Sequence, residues 1–202
     1  MSAQSARPAL ASKKLHLGAG DVSLTGWINT DLSPEKTHIQ KLDVRERFPF
    51  EDGSLELIFA EHMIEHLSCA EAQFMLGECH RVLTKNGVVR IATPDLGRLV
   101  DLFHTHSSDH TAYLEWIAGL NHPESTRPCV VINNAFYNWG HKFLYDFETL
   151  QSIILNAGFG SVKIFEVGKS DKVELRGIES HGSVVGSERM NEFETMVVEA
   201  YK

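Results

Sequence analysis

The first ninety-odd residues carry their apolar positions in short runs, each closed by glycine or by an acid. Leu15-His16-Leu17 ends in Gly18-Ala19-Gly20, Trp27-Ile28-Asn29-Thr30 ends in Asp31, and Ile39-Gln40-Lys41-Leu42 ends in Asp43. Runs of this length between turn residues predict β-strands. After the polar turn Phe50-Glu51-Asp52-Gly53-Ser54, residues 55–60 are almost continuously apolar and predict a buried central strand. The period then changes. Met75, Leu76, Cys79, Val82 and Leu83 recur at helical spacing, which predicts an amphipathic helix over 70–83 with Lys85-Asn86-Gly87 as its stop. Residues 88–92 predict the next strand, ended by Thr93-Pro94-Asp95.

From 96 to about 145 this rhythm breaks. Helices are predicted around 97–105 and 109–120, followed by an irregular stretch rich in Asn, Pro and aromatics. Asp146 is placed to cap a helix that runs to Asn156 and stops at Gly158. Two last strands are expected at 162–167 and 194–201, joined by a long glycine-bearing loop. The alternation of strands and helices points to an α/β layered fold. One domain is expected over 13–202, with a helical and loop insertion at about 96–145, after a Ser- and Ala-rich disordered tail over 1–12. One joint is tight. Six residues separate Gly20 from Trp27, whereas a parallel crossover takes about ten or more. The first connecting helix must therefore shrink to a turn or a loop.

A net charge of −8, without a Lys/Arg run, argues against a nucleic-acid partner. Three cysteines, Cys69, Cys79 and Cys129, without CxxC spacing suit a reducing compartment. No apolar run reaches the length of a membrane span. These features predict a cytoplasmic protein with no membrane partner.

The three strand tips carry the candidate chemistry. Gly18-Ala19-Gly20 lets a ligand approach the backbone closely. Asp31 at the next tip can accept from two ribose hydroxyls. Asp43, one strand further, can take an adenine amino group. Together they describe a pocket for an adenosine. An NAD fingerprint fits poorly, because Ser23 holds the third glycine position and Asp31 arrives too early.

These residues resemble the first motifs of class I S-adenosylmethionine-dependent methyltransferases. Phe48-Pro49-Phe50 with Asp52-Gly53-Ser54, Ala60-Glu61-His62-Met63-Ile64-Glu65-His66-Leu67, and Cys79-His80-Arg81-Val82-Leu83 with Asn86-Gly87 follow in the order of that family's short, type-11-like, small-molecule subgroup. The resemblance runs from about Leu15 to the C-terminus. It implies a Rossmann-like, seven-stranded, mostly parallel sheet with an antiparallel last strand, helices on both faces and a shortened first connecting helix. It implies S-adenosylmethionine as cofactor, held by His16, Gly18, Ala19, Gly20, Asp31, Leu32, Asp43, Val44, Glu61 and His62. His16 stands where the family usually has an acid, and its other reading is a packed strand residue. The acceptor implied is a small molecule receiving the methyl group on oxygen or nitrogen, with a sugar or glycan precursor suggested and a homodimer allowed for. A protein that binds the cofactor without catalysis is the alternative.

His62-Met63-Ile64-Glu65-His66 is a literal HxxEH, the inverted zincin spacing. No third ligand is evident from the sequence, so no metal is expected, and His66 reads as a structural helix histidine. His141, in the loop Asn133-Asn134-Ala135-Phe136-Tyr137-Asn138-Trp139-Gly140-His141-Lys142, is the first candidate base, and His62 the second catalytic candidate. His181 in the last loop is a lesser one. The aromatics of the 133–145 stretch suggest a substrate wall.

Overall fold

The computed structural model describes residues 13–121 and 126–202; the tail expected over 1–12 lies outside them. In chain order the strands are β1 (Lys14–Leu17), β2 (Ile28–Asp31), β3 (Gln40–Lys41), β4 (Leu55–Glu61), β5 (Leu83–Pro94), β6 (Ser161–Phe165) and β7 (Thr195–Tyr201). The helices are α1 (Cys69–Val82), α2 (Leu96–Asp101), α3 (Ser108–Asn121), α4 (Pro128–Tyr137), α5 (Phe147–Asn156), α6 (His181–Val185) and α7 (Glu188–Glu194). One seven-stranded sheet runs in the order β3-β2-β1-β4-β5-β7-β6. Its pairs are parallel except those made by β7, which runs antiparallel to both β5 and β6. This is the Rossmann-like arrangement of the expected fold class.

Alternation along the strands divides the sheet into two faces. Leu15, Leu17, Ile58, Ala60, Val89, Ile91 and Val198 pack in one apolar cluster with Met75, Leu76 and Cys79 of α1 and with Leu150 and Ile154 of α5. The start of α1 is written in the sequence. Ser68 Oγ accepts from the Glu71 N–H at 3.3 Å and Glu71 Oε2 accepts from the Ser68 N–H at 2.7 Å, a reciprocal capping box. Asp146 caps α5 through the Thr149 N–H at 2.8 Å, as expected.

The opposite face is built differently. No helix lies between β1 and β4, so the shortened first connection is a loop over 18–27, and the next two crossovers are loops as well. The segment between β6 and β7 takes the helices' place. Its Leu175 is fully buried with Leu57 and Val88, and Trp27, Ile178 and Tyr201 pack around them. Much of this face is held by charge. Arg90, fully buried, pairs with Glu179 and, at 2.8 Å, with Glu199, and it donates to the Lys169 carbonyl at 2.9 Å. Arg90→Met would leave two buried carboxylates without their cation. A loss of about 3–5 kcal/mol is expected, measured by urea denaturation; a loss within experimental error of zero would show that the cluster does not hold this face.

Three expectations change. Lys85-Asn86-Gly87 lies inside β5, because Leu83 is drawn into the sheet opposite Leu55 and ends α1 early. Part of the stretch expected to be irregular is α4, started by Pro128 at a position that needs no N–H donor. Its Val131 and Ala135 pack on Leu99, Tyr113 and Ile117 of α2 and α3, a second apolar cluster beyond the tip of β5. The long final loop contains α6 and α7, whose Met190 joins that second cluster.

Candidate active site

Two cavities open at the carboxyl ends of the strands, the usual ligand position in such sheets. The glycine turn after β1 is tied down by backbone. The Ala19 N–H donates to the Thr30 carbonyl at 2.9 Å, and the Gly20 N–H donates to Asp31 Oδ2 at 2.9 Å. Asp31 Oδ1 accepts from the Ser33 N–H at 2.9 Å, so this carboxylate ties the turn to the start of the next loop. Gly18 has φ +65°, and a Cβ there would lie 2.4 Å from Met63 Cγ. Gly18→Ala is expected to cost more than about 1 kcal/mol, read as a fall in melting temperature; an unchanged melting temperature would refute this account of Gly18.

The smaller cavity, about 390 Å³, is lined by Gly18, Gly20, Asp31, Leu32, Asp43, Val44, Met63 and His66. Asp43 is gripped by Arg45, whose Nε and Nη2 donate to it at 2.8 and 2.6 Å. Hydrogen bonds from Arg45 pull its carboxyl down to about 2. The larger cavity, about 440 Å³, shares Gly18, Gly20, His62 and His66 with the smaller one. Its other walls come from Ala19, from the tip of β4, from the apolar faces of α3 and α4, with Trp116, Leu120 and Val131 among them, and from Trp139 in the loop after α4.

Histidines and carboxylates line one wall. Glu61, the last residue of β4, accepts from the backbone N–H groups of Ser180 and His181, each at 3.0 Å. The segment that covers the second face of the sheet thereby delivers His181 to the cavity. His62 has φ +45°, a strained conformation for a residue with a side chain. Its ring stacks on His181, with centroids 3.7 Å apart. Its Nε2–H donates to Thr195 Oγ1 at 3.2 Å, since that hydroxyl donates onward to Asn191. Its Nδ1 lies 3.3 Å from Glu65 Oε1. Burial disfavours the charged ring, but the contact with Glu65 and the charges of Glu65, Glu194 and Glu61 outweigh it and raise its pKa. His181 moves the other way, to about 4, through burial and the neighbouring His62.

His141 Nδ1–H donates to the Ala135 carbonyl at 2.6 Å, which leaves the Nε2 lone pair uncommitted. Burial holds its pKa below the ordinary histidine value, the main reason it stays neutral. Its ring meets His66 edge-on, with centroids 4.9 Å apart. Glu194 accepts from the Tyr113 hydroxyl at 2.6 Å, and burial raises its pKa.

The sequence-predicted positions come together. His16, Gly18, Ala19, Gly20, Glu61, His62 and His141 line the larger cavity, and Asp31, Leu32, Asp43 and Val44 line the smaller. His16 is also a packed strand residue, 2% exposed, donating from Nδ1 to Asn29 Oδ1 at 3.1 Å and stacked on Phe59. One expectation fails. His66 is no helix-facing structural residue: it sits in a 3₁₀ turn, Ile64–His66, and lines both cavities. The HxxEH histidines diverge, His62 to His181 and His66 to His141, because a left-handed residue and a 3₁₀ turn replace the α-helix that would align them. Sequence reasoning also missed Glu65, Tyr113, Trp116 and Glu194 as wall residues. Of these only Glu65 carried a signal, as the acid of HxxEH.

Residues 15–91 match a family model described as a methyltransferase domain. No curated protein sequence matches the chain. Among solved structures, it is similar to a SAM-dependent methyltransferase from Archaeoglobus fulgidus, at 18% identity, over 96% of this chain and 87% of that one, with a TM-score of 0.54. An S-adenosylmethionine-dependent methyltransferase from Mesorhizobium loti aligns at 11% identity over 97% and 94%, with a TM-score of 0.51. A phosphoethanolamine N-methyltransferase of Haemonchus contortus, solved in complex with S-adenosyl-L-methionine, aligns at 16% identity over 95% of this chain and 49% of that one, with a TM-score of 0.50.

Proposed function

We infer that this chain is a class I S-adenosylmethionine-dependent methyltransferase that transfers the methyl group to an oxygen or nitrogen of a small acceptor; the methyltransferase-domain match over residues 15–91 and the Rossmann-like fold support this reading. The observation that carries this reading is the pair of cavities meeting at Gly18, Gly20, His62 and His66. The smaller one suits an adenosine, with Asp31 toward the ribose hydroxyls, Asp43 and the Val44 backbone toward the adenine, and Leu32 against the base. His16, Ala19, Glu61 and His62 then surround the amino-acid end and the sulfonium. The acceptor enters the larger cavity from the α3–α4 side.

The indole and aliphatic walls there suit an acceptor with an apolar or ring-shaped face, and the polar wall receives its nucleophile. A sugar or glycan precursor meets both requirements, since its C–H face packs on Trp116 or Trp139 while its hydroxyls reach the histidines. The acceptor lone pair forms the new bond to the methyl carbon as the carbon–sulfur bond breaks, and the sulfonium charge is discharged on the thioether product. The protein's main contribution is alignment. His141, neutral with Nε2 free, is the group positioned to receive the acceptor's proton, whereas His62 is engaged at both ring nitrogens and orients its neighbours.

No helix among the described residues is long and apolar enough to cross a membrane. The test is calorimetric titration with S-adenosylmethionine and S-adenosylhomocysteine, NAD serving as control, followed by transfer of labelled methyl to a panel of sugars, amines and phenols. Micromolar binding of the first two, with label moved to at least one acceptor, is expected. Absence of binding by either would sink the reading.

A further inference from the structure

We propose that Glu65, His66 and His141 form a divalent transition-metal site in the wall of the larger cavity, whose cation holds an oxygen of the acceptor. The role given to the acceptor rests on the methyltransferase reading; the binding of the cation does not.

Each of the three offers one ligand atom, and these atoms lie within 4.8 Å of one another. Metal–ligand bonds of about 2.0–2.2 Å require the three arms to close by about an ångström. Two of the arms are already aimed. Glu65 is completely buried, and its Oε2 accepts from Thr93 Oγ1 at 3.0 Å. Its Oε1 has no hydrogen-bond partner; His62 Nδ1 at 3.3 Å makes an ion-pair contact without hydrogen-bond geometry. The oxygen thus keeps unused lone-pair capacity beside its charge contact with His62. His141 donates its Nδ1–H to the Ala135 carbonyl, the outer-shell contact that fixes the tautomer of a metal-ligating imidazole and turns the Nε2 lone pair outward.

The backbone holds the third arm against the other two. The Glu65 carbonyl accepts from the Lys142 and Phe143 N–H groups at 2.8 and 3.2 Å, which stitches the His141 loop to the turn carrying His66. Gly140, at φ +80°, takes the left-handed turn just before His141 that a residue with a side chain rarely adopts. Two imidazoles and one carboxylate suit Mn, Fe, Co, Ni or Zn rather than Mg or Ca, and three protein ligands leave coordination positions open to the cavity. A hydroxyl bound there is fixed in place and made more acidic. His141 Nε2 then serves as a ligand, the cation replaces it as the group that makes the acceptor nucleophilic, and the proton given up by the bound hydroxyl passes to solvent water through the open cavity. His62, His181 and Glu194 form a second group of similar spacing, but Thr195 and Tyr113 already engage His62 and Glu194.

The experiment is titration of the chelator-stripped full chain with Co²⁺, followed by its visible absorption and by elemental analysis after dialysis. One Co²⁺ per chain is expected. His141→Ala and His66→Ala should abolish it, and Thr93→Val, which removes only the contact behind Glu65, should weaken it about 10–100-fold. His181→Ala should retain one equivalent. Circular dichroism checks that each variant folds, and Glu65→Gln, close in shape, serves where an alanine variant does not. Absence of Co²⁺ binding by the wild type overturns the site, as does binding that survives in His66→Ala and His141→Ala and is lost in His181→Ala. Cofactor titration on the same samples separates the two ideas: S-adenosylmethionine binding without Co²⁺ removes the metal site alone, and Co²⁺ binding without the cofactor removes the methyltransferase reading alone.

Discussion

Asp31→Ala is expected to weaken S-adenosylmethionine binding by about 10²–10⁴-fold, the equivalent of two charge-assisted hydrogen bonds at about 1.5–3 kcal/mol each. The carboxylate serves twice in this account. It accepts from the Gly20 and Ser33 N–H groups, each at 2.9 Å, and so sets the shape of the glycine turn. It also lines the smaller cavity, where the ribose hydroxyls are proposed to lie. Alanine removes both functions, while Asp31→Asn keeps an acceptor and should lose less. Calorimetric titration of the folded variants decides it. Alanine and wild type with equal affinity would remove Asp31 from the cofactor site and shift attention to the larger cavity.

His141→Ala is expected to lower turnover by about 10²–10⁴-fold and to leave cofactor affinity unchanged. The split follows from position: His141 lines the larger cavity but not the smaller one. It also follows from chemistry, since Nδ1 is engaged by the Ala135 carbonyl and only Nε2 remains to act on the acceptor. Both the proton-acceptor role and the metal-ligand role require that lone pair, so the rate loss is common to them and metal content tells them apart. Single-turnover assays with a competent acceptor give the rate, and titration gives the affinity. Unchanged turnover would remove His141 from the mechanism; a matching loss of cofactor affinity would make it part of the cofactor site instead.

Much of this was legible in local sequence because its physics is local. Strand tips that end in glycine or acid, the Ser68–Glu71 capping box and the Asp146 cap depend on neighbours a few residues away. The tight count between Gly20 and Trp27 already excluded a full connecting helix, and the chain crosses there as a loop. Strand order followed only once the resemblance to a family supplied it.

What the tertiary structure alone decided depends on groups distant in the chain. His66 and His141 meet because the Glu65 carbonyl pairs with the backbone of a loop more than seventy residues later. His181 faces His62 because Glu61 captures the backbone at 180–181 across the second face of the sheet. A periodicity argument sees one helix face or one strand face at a time. The HxxEH spacing would set both histidines on one face of a helix, whereas a left-handed residue at 62 and a 3₁₀ turn send them to different partners. The strand tips and their acids were written in the sequence; the gathering of histidines and carboxylates beside them was decided by long-range backbone contacts that no local pattern encodes.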